Sequence, residues 1–236
     1  FGLSSSHGSG LMAAQQHTSS FSELALAPKV LKAINDVGYE SPTSIQLAAS
    51  PPLLEGRDLL GCAQTGTGKT AAFSLPILHH LEMNIQRPPA RGARVLVLAP
   101  TRELAHQVGK SLETYGKFLR FRHALVYGGV GQRPQVSAMR RGVDVLVACP
   151  GRLLDLIEQG YIDLSGVEFF VLDEVDRMLD MGFVKDVRRI VSMLPRKRQS
   201  LFFSATMAPS IVDLSHTILR NPVTVRIEPE TTTAAK

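Results

Sequence analysis

Short apolar runs recur along the chain and are separated by longer, helix-like stretches. The runs are rich in Val, Leu and Phe and are apolar nearly throughout, which is typical of strands covered on both faces. They predict strands at residues 58–62, 94–99, 123–127, 144–148, 168–172, 200–203 and 223–227. The stretches between them predict helices at residues 69–82, 103–119, 132–140, 152–159, 183–194 and 208–219.

This alternation of strand and helix predicts an α/β fold. Right-handed crossovers would give a mostly parallel sheet with helices on both faces. Ligands of such sheets bind at the carboxyl ends of the strands. We therefore expect the functional residues to lie directly after the predicted strands.

Length and composition agree with one α/β domain. The chain has 236 residues, of which 44% are hydrophobic and 20% are charged. We expect residues 21–227 to form the domain, residues 1–20 to be a flexible leader or a cloning remnant, and residues 228–236 to be a linker. No apolar run approaches the ~20 residues that span a bilayer, and residues 1–20 lack a signal peptide, so we predict a soluble, cytoplasmic protein without a membrane partner.

Net charge and cysteine content exclude few classes of function. The net charge of +5 permits an anionic partner but identifies none. Cys62 and Cys149 have no metal-like spacing, so we interpret them as small buried residues in a reducing compartment.

A glycine-rich segment follows the first predicted strand. It comprises eight consecutive residues: Ala63, Gln64, Thr65, Gly66, Thr67, Gly68, Lys69 and Thr70. The glycines let several backbone N–H groups point at phosphates, and the following helix directs its positive end there. Lys69 can reach the β- and γ-phosphates of a nucleotide and the Thr70 hydroxyl can bind Mg²⁺. Ala63 departs from the strict pattern, which has glycine there, and a glycine-rich turn without chemical meaning is the alternative.

Two carboxylates follow the strand predicted at residues 168–172. Asp173 at such a strand end can hold Mg²⁺, usually through water, and Glu174 could orient or deprotonate an attacking water. Alone, such a cluster is more often the solvated first turn of a helix. Beside a phosphate loop in the same sheet, catalysis is the favoured interpretation. Lys69, Asp173 and Glu174 are thus the predicted catalytic residues, and we expect the loop and the acidic pair to face one pocket.

Several motifs together resemble the DEAD-box RNA helicases. Residues 173–176 read Asp-Glu-Val-Asp, one residue from the family signature, and residues 38–46 resemble the family's Q motif. Later motifs match at residues 100–105, 128–129, 150–152 and 204–206. The resemblance covers Phe21 to about Ile227 and is greatest to the bacterial RhlE-like group. It implies the first RecA-like P-loop NTPase domain of such a helicase, with ATP and Mg²⁺ as ligands.

The resemblance also implies how the base of ATP is bound. The Gln46 amide would read the adenine edge, Tyr39 would stack on the base, and Ser41 would lie near its edge. Phe21 would pack behind this pocket. Without the resemblance, Tyr39 and Phe21 are ordinary core aromatics.

RNA contacts are implied in the same way. Thr101, Arg102, Gly129 and Arg152 would line the path of the RNA backbone, because hydroxyl, backbone amide and guanidinium groups all bind phosphates. Binding would then be largely independent of base sequence and would weaken with salt. Taken singly, either arginine could be a solvated surface residue.

A last set of residues is implied to couple nucleotide to RNA. In the family, the motif that holds Ser204 and Thr206 contacts the last acid of the acidic motif, which here is Asp176. Alternatively, Ser204 or Thr206 caps the next helix.

Two positions depart from the family pattern. Val175 replaces an alanine and could crowd a tight turn or simply pack. Cys149 replaces a threonine, so one hydroxyl contact to RNA is lost, although backbone amides there could still serve.

The expected function is that of an ATP-dependent RNA helicase. The family's second RecA-like domain, which supplies arginines to the γ-phosphate, has no counterpart after Ile227. We therefore expect this chain to bind adenine nucleotide, to hydrolyse it slowly and to unwind nothing alone. The alternatives are a P-loop ATPase that acts on another substrate and a nucleotide-dependent RNA clamp without turnover.

Overall fold

The computed structural model describes residues 20–64 and 66–227 of the chain. The predictions for Thr65, for the C-terminal linker and for all of the leader except Ser20 lie outside these residues. Strands were found at every predicted place: β1 Leu59–Cys62, β2 Ala93–Leu98, β3 His123–Val126, β4 Val143–Ala148, β5 Phe169–Leu172, β6 Gln199–Ser204 and β7 Val223–Arg226.

These strands form one seven-stranded sheet in the order β3-β4-β2-β5-β6-β1-β7. Every pairing within it is parallel, so the expectation of a mostly parallel sheet is met throughout. The strands β1 and β5 both pair with β6. The phosphate loop, which follows β1, and the acidic pair, which follows β5, therefore reach the same edge of the sheet.

Helices cover both faces of the sheet. They are α1 Pro28–Val37, α2 Ser44–Leu54, α3 Lys69–Met83, α4 Arg102–Tyr115, α5 Arg133–Met139, α6 Pro150–Glu158, α7 Val175–Asp180, α8 Val184–Ser192 and α9 Pro209–Ile218, with a 3₁₀ helix at Phe21–Leu24. None of the described helices is both long enough and apolar enough to cross a bilayer.

Two hydrophobic cores lie on opposite faces of the sheet. Along β2, Val95 and Val97 belong to one core, while Leu96 and Leu98 belong to the other, and all four are fully buried. The first core is shared with α1 to α4 and the second with α5 to α9. The strands are nearly continuously apolar because both faces of the sheet are covered, as predicted. The prediction of an α/β fold is confirmed.

Some helices differ from prediction. The sequence interpretation did not include α1, α2, α7 or the 3₁₀ helix. The helix predicted at residues 103–119 ends at Tyr115, because Gly116 closes it with a bond from its N–H to Leu112 O of 2.8 Å. The other helices agree with prediction to within about two residues at each end.

Candidate active site

The phosphate loop joins β1 to the long helix α3. Gly66 and Gly68 both have positive φ, at 86° and 85°, a conformation that side chains rarely tolerate. Gly68 is the N-cap of α3, and the Thr67 hydroxyl donates a hydrogen bond of 2.8 Å to Gln64 O. The loop therefore has the backbone that phosphate binding at a helix N-terminus requires.

The first residue of α3 is a lysine whose ammonium group is buried in the protein. Lys69 is only 7% exposed, and among the described residues its Nζ has no hydrogen-bond partner. A buried cation without a partner is costly in free energy. An anion that binds beside the ammonium would offset this cost.

Lys69 lines a cavity of about 380 Å³ together with acidic residues from the end of β5. Glu174 and Asp176 contribute from the start of α7, and Thr101 contributes from the start of α4. The structure thus places Lys69 and Glu174 around one cavity, as the sequence predicted, whereas Thr70 lines a different cavity and Asp173 lines neither of the two.

Asp173 is the most deeply placed acid of the motif, at 2% exposure. Burial is the largest effect on its carboxyl and raises the pKa to about 6. The Lys69 ammonium lowers this pKa, whereas the charges of Glu174 and Asp176 raise it. The backbone N–H of Glu174 donates to Asp173 Oδ1 at 3.0 Å and favours the ionised form. A cation beside Asp173 would favour ionisation further.

Glu174 has a strained backbone. Its φ of 50° and ψ of 55° lie in the left-handed region, which a residue with a side chain seldom occupies. Such conformations cost about 1–3 kcal/mol and concentrate at functional sites. Arg177, one turn further along α7, places its Nη1 3.5 Å from Glu174 Oε2. The turn therefore directs a carboxylate into the cavity instead of continuing the chain smoothly into the helix.

The oxygen atoms near Lys69 suit a hard cation. Thr70 is the second residue of α3 and is half-buried, and Asp173 lies at the end of β5. Hydroxyl and carboxylate oxygens are ligands that Mg²⁺ accepts, often through water. No cluster of three or more His, Cys, Asp or Glu side chains suited to a metal occurs among residues 20–64 and 66–227. A divalent ion here would therefore depend on oxygens of a bound phosphate.

A second cavity, of about 340 Å³, lies on the other side of the phosphate loop. It is lined by the residues predicted to bind adenine and by others: Phe21, Tyr39, Ser41, Thr43, Gln46, Gly66, Gly68, Thr70, Ala71, Leu75, Ser111 and Tyr115. The Tyr39 and Tyr115 rings lie 6.2 Å apart, and Tyr39 is 52% exposed. Burial and the neighbouring Tyr39 raise the pKa of Tyr115, so its hydroxyl stays protonated. The cavity thus offers aromatic surface beside polar groups.

Gln46 connects this second cavity to the phosphate loop. Its Nε2 donates to Gly68 O at 3.2 Å, and its Oε1 accepts from Thr43 N at 3.0 Å. A Cβ placed on Gly68 would lie 2.6 Å from Gln46 Nε2 and 2.8 Å from Thr43 Oγ1. Each polar atom of the amide retains one further hydrogen-bonding position. Adenine recognition by Gln46 stays a prediction.

The residues predicted to contact RNA lie after β2, β3 and β4. Thr101 is the N-cap of α4, and its Oγ1 accepts from Leu104 N at 3.2 Å. The exposed Arg102 places its Cζ 5.0 Å from the centre of the Tyr127 ring. Gly129 is exposed, with φ of 80°. These groups follow neighbouring strands and share one edge of the sheet.

Arg152 is held more firmly than a solvated surface arginine. Its Nη1 donates to Gln135 Oε1 at 3.1 Å and its Nη2 donates to Val130 O at 2.8 Å, and its side chain is 13% exposed. Gln135 in turn donates to Tyr127 O at 3.0 Å. The structure therefore gives Arg152 a role in ordering the loop after β3, and its contact with RNA stays a prediction.

Of the residues predicted to couple nucleotide to RNA, Ser204 ends β6 and Thr206 follows it, whereas Asp176 lies in α7. Ser204 is fully buried, and its Oγ has no hydrogen-bond partner in the described part of the chain. Thr206 is exposed, and Ala205 shares the cavity of Asp176. The alternative that Ser204 or Thr206 caps the next helix is wrong, because α9 begins at Pro209 after Ala208 and has no side-chain cap.

The two departures from the family pattern are both accommodated. Val175 is fully buried within the second core, so the larger side chain packs. Cys149 is the N-cap of α6 and makes no capping bond through its side chain. Burial, and then the Glu103 charge, raise the pKa of the Cys149 thiol to about 11, so it is protonated at neutral pH.

Sequence interpretation missed several residues that line the two cavities. Ser111 and Tyr115 reach the second cavity from α4, and nothing in their local sequence indicates this. Gln107 and Arg177 line the cavity of Lys69. Thr43 could have been found, because Thr-x-x-Gln ahead of an apolar run is a capping box, and the structure contains that box.

A wholly parallel sheet, a glycine loop that caps α3, and a buried lysine that shares a cavity with Glu174 and Asp176 define a P-loop nucleotide-binding domain. The family model of the DEAD/DEAH box helicases matches residues 43–214. The chain belongs to this family, as the sequence motifs predicted.

Relatives and a solved structure agree with this assignment. The chain is 47% identical over 219 residues to an ATP-dependent RNA helicase DeaD of Buchnera aphidicola subsp. Schizaphis graminum, covering 92% of this chain and 36% of that protein. It is 45% identical to the DeaD helicase of Escherichia coli strain K12, covering 90% and 33%. A DEAD box protein from the hyperthermophile Methanococcus jannaschii superposes with a TM-score of 0.80 at 35% identity, covering 89% of this chain and 56% of that chain.

The chain spans about a third of the length of the curated relatives it matches. The fold is RecA-like, as the likeness to the archaeal structure shows. Membership of the RhlE-like group stays a prediction.

Proposed function

We propose that this chain is the ATP-binding domain of an ATP-dependent RNA helicase. In the longer protein, ATP binding and hydrolysis would be coupled to the remodelling of RNA duplexes, with a second RecA-like domain completing the site. Support comes from membership of the helicase family and from relatives named ATP-dependent RNA helicases. The domain itself would correspond to residues 21–227.

The observation that carries this proposal is the buried Lys69 ammonium. It has no partner among the described residues, and it lies beside the backbone amides at the start of α3. A triphosphate would supply hydrogen-bond acceptors to the Lys69 ammonium, which already has the Asp173 carboxyl nearby, with Lys69 on its β- and γ-phosphates. Gln64, Thr65, Gly66, Thr67 and Gly68 would surround the phosphates with backbone donors.

Thr70 and Asp173 would hold Mg²⁺, with Asp173 acting through water. When bound, the ion neutralises charge that develops on the phosphate oxygens. Asp173 must be ionised for this role, and the Lys69 charge and the Glu174 N–H bond both favour its ionised form.

Glu174 would orient or deprotonate the water that attacks the γ-phosphate. Its carboxylate is held toward the cavity by the left-handed turn and remains 19% exposed. The proton would pass from the attacking water to a Glu174 carboxylate oxygen. Arg177, whose Nη1 lies 3.5 Å from Glu174 Oε2, would help to hold that carboxylate in position.

The second cavity would take the adenine base. Tyr39 would stack on the base, Ser41 would lie near its edge, and Gln46 would use its remaining hydrogen-bonding positions to read it. Because Gln46 also donates a hydrogen bond to Gly68 O, a base bound in this cavity would influence the conformation of the phosphate loop.

RNA would bind along the carboxyl ends of β2, β3 and β4. Thr101, Arg102, Gly129 and Arg152 would contact its phosphates, so binding would carry little base information. Thr101 also lines the cavity of Lys69, which brings the two ligands close together. Asp176, Ser204 and Thr206 would link them.

The test separates nucleotide binding from hydrolysis. Glu174→Gln should bind a fluorescent ATP analogue within about twofold of the wild-type affinity. It should slow single-turnover hydrolysis, measured with excess protein, by roughly 10²-fold or more, because general-base catalysis is lost. Lys69→Ala should instead weaken binding by roughly tenfold or more, because a charge-assisted phosphate contact is lost.

The matched control is Asp180→Asn, which removes a carboxylate from an exposed position at the end of the same helix, α7. It should alter neither quantity. Unchanged hydrolysis in Glu174→Gln would show that another group serves as base, and unchanged binding in Lys69→Ala would refute the phosphate site.

A further inference from the structure

A third cavity lies at the opposite edge of the sheet from the phosphate loop, where β2, β3 and β4 begin. Its volume is about 610 Å³, and its lining residues come from the segments that lead into these strands: Arg87, Pro88, Ala90, Arg122, Arg140 and Arg141. We call this cavity, defined by its four arginines, the arginine cleft. None of the roles proposed above involves it.

The cleft concentrates positive charge. Arg87, Arg122, Arg140 and Arg141 are all exposed, and within residues 20–64 and 66–227 none of them forms an ion pair. The nearby Asp144 accepts a hydrogen bond from the backbone N–H of Arg122 at 2.8 Å and does not line the cleft. Four like charges around one space repel one another, and a bound polyanion relieves that repulsion.

One side of the cleft is partly ordered before any ligand binds. Arg122 donates from its Nη2 to Arg141 O at 3.4 Å, which joins the start of β3 to the segment before β4. Arg87 stands opposite, on the segment before β2. Guanidinium groups on both walls can therefore bind neighbouring anionic groups of a single ligand.

The chemistry of the lining favours phosphates over an acidic peptide. Pro88 and Ala90 are the only apolar residues that line the cleft among the described residues, and no aromatic ring lines it. Protein interfaces usually add aromatic anchors in well-packed pockets to their charged groups, and this lining has no aromatic residue. Phosphate recognition needs only charge and N–H donors and reads no base.

We propose that the arginine cleft binds the phosphate backbone of RNA, as an addition to the path at the carboxyl ends of the strands. This inference rests on the proposed function, since it takes RNA to be the ligand of the opposite edge. The same three strands carry both sets of residues: Thr101, Gly129 and Arg152 follow β2, β3 and β4, while the arginines precede them.

The sheet leaves a route between the two sites. Among the described strands β3 is the outermost on this side, so none of them blocks passage around it. β4 has six residues, which at about 3.3 Å per residue separates the two edges by roughly 20 Å. A stacked strand covers that distance in about six nucleotides, at ~3.4 Å for each. RNA must therefore extend beyond the first site by about this length to reach the cleft.

The experiment compares short and long RNA. The affinity of the chain for single-stranded RNA of about six and about twenty nucleotides is measured by fluorescence anisotropy at several salt concentrations. The variant R87Q/R140Q removes one charge from each wall of the cleft. The control K185Q/R188Q removes two charges from exposed positions on α8 that make no ion pair among the described residues.

We expect R87Q/R140Q to weaken binding of the long RNA roughly fivefold at low salt and to leave the short RNA unchanged. The slope of log affinity against log salt should fall by about 0.7 for each arginine that contacts a phosphate. K185Q/R188Q should match the wild type, and circular dichroism should show all variants folded.

Three results would overturn the inference. The first is equal affinity of R87Q/R140Q and the wild type for the long RNA. The second is an equal loss in K185Q/R188Q, which would show that net charge alone matters. The third is binding of fluorescent polyglutamate that R87Q/R140Q weakens while the affinity for long RNA stays the same, which would assign the cleft to an acidic protein. Failure of the wild type to bind either RNA would refute the proposed function itself, whereas equal affinities refute only the cleft.

Discussion

At the residue scale, the N-cap of α6 shows how much a single side-chain hydrogen bond can contribute to the stability of a helix. Cys149 occupies that position with extended backbone, at φ −87° and ψ 141°, and its side chain makes no capping bond. A thiol is a weak acceptor, whereas the threonine hydroxyl that the family pattern has here is among the preferred caps. The helix therefore begins with backbone N–H groups that a hydroxyl could satisfy.

We expect Cys149→Thr to raise the free energy of unfolding by about 1 kcal/mol, the usual value of an N-cap hydrogen bond. Urea denaturation followed by circular dichroism would measure it. Cys149→Ser should stabilise similarly, and Cys149→Ala, which cannot cap, is the matched control. If threonine and alanine give equal stability, the capping explanation is wrong.

Single residues also mark where sequence interpretation reached its limit. The placement of Lys69 and Glu174 around one cavity was predicted, because the loop and the acidic pair each follow a strand of the same sheet, and their catalytic roles stay predictions. Ser111 and Tyr115 could not be predicted, since they reach the second cavity only through the packing of α4 against the segment from Phe21 to Gln46. Arg152 was assigned to RNA alone, because its bonds to Gln135 and Val130 depend on loop geometry that the sequence does not encode locally.

At the element scale, the strands were predicted well and some helices were not. A strand buried on both faces has a continuous apolar run, and such runs are conspicuous. Helix α2 contains Pro51 and Pro52 in its last turns, which disguise a helical pattern, although its Thr43–Gln46 capping box indicates its start. Helix α7 has only six residues, too few for a helical period to emerge.

Helix α1 is attached to α3 by a bond that depends on pH. His79 Nδ1 accepts a hydrogen bond of 2.9 Å from Ala27 N–H, at the N-cap of α1. Burial, and then the charge of His80, lower the pKa of His79 below its ordinary 6.5. Since the folded state favours the neutral ring, this contribution to stability is complete above pH 6.5 and is lost as pH falls through the folded-state pKa.

We expect His79→Asn to flatten the acid side of the stability profile. The asparagine Oδ1 can accept the same bond and does not titrate. Between about pH 7 and pH 5, the wild type should lose roughly 1 kcal/mol relative to the variant, the net value of one hydrogen bond. Denaturation at a series of pH values measures this, with His216→Asn, at an exposed position on α9, as the control. Parallel profiles for wild type and His79→Asn would contradict the assignment.

At the scale of the whole molecule, the three cavities divide the chemistry between the two edges of one sheet. The cavities of Lys69 and Tyr39 lie on either side of the phosphate loop, and the arginine cleft lies where β2, β3 and β4 begin. Arg177 is the only arginine that lines the cavity of Lys69 among the described residues, and it contacts Glu174. In the described part of the chain, no arginine without a carboxylate contact lines this cavity.

We therefore expect the chain alone to bind ATP but to hydrolyse it roughly 10³-fold more slowly than the longer protein, since an arginine on the transferring phosphoryl group contributes about that much or more. It should also unwind no RNA duplex. A coupled phosphate-release assay with and without RNA measures the rate, with Lys69→Ala as the background for contaminating ATPases. Vigorous RNA-stimulated hydrolysis by the chain would contradict this expectation.

The crowding around Gly68 has a consequence for protein engineering. A methyl group there would collide with Gln46 and Thr43, and the backbone at φ 85° would resist it as well. A redesign of the second cavity must therefore alter the start of α2 and the loop before α3 together. Larger side chains introduced in one segment alone would clash with the other segment, so a library that varies both together is the practical starting point.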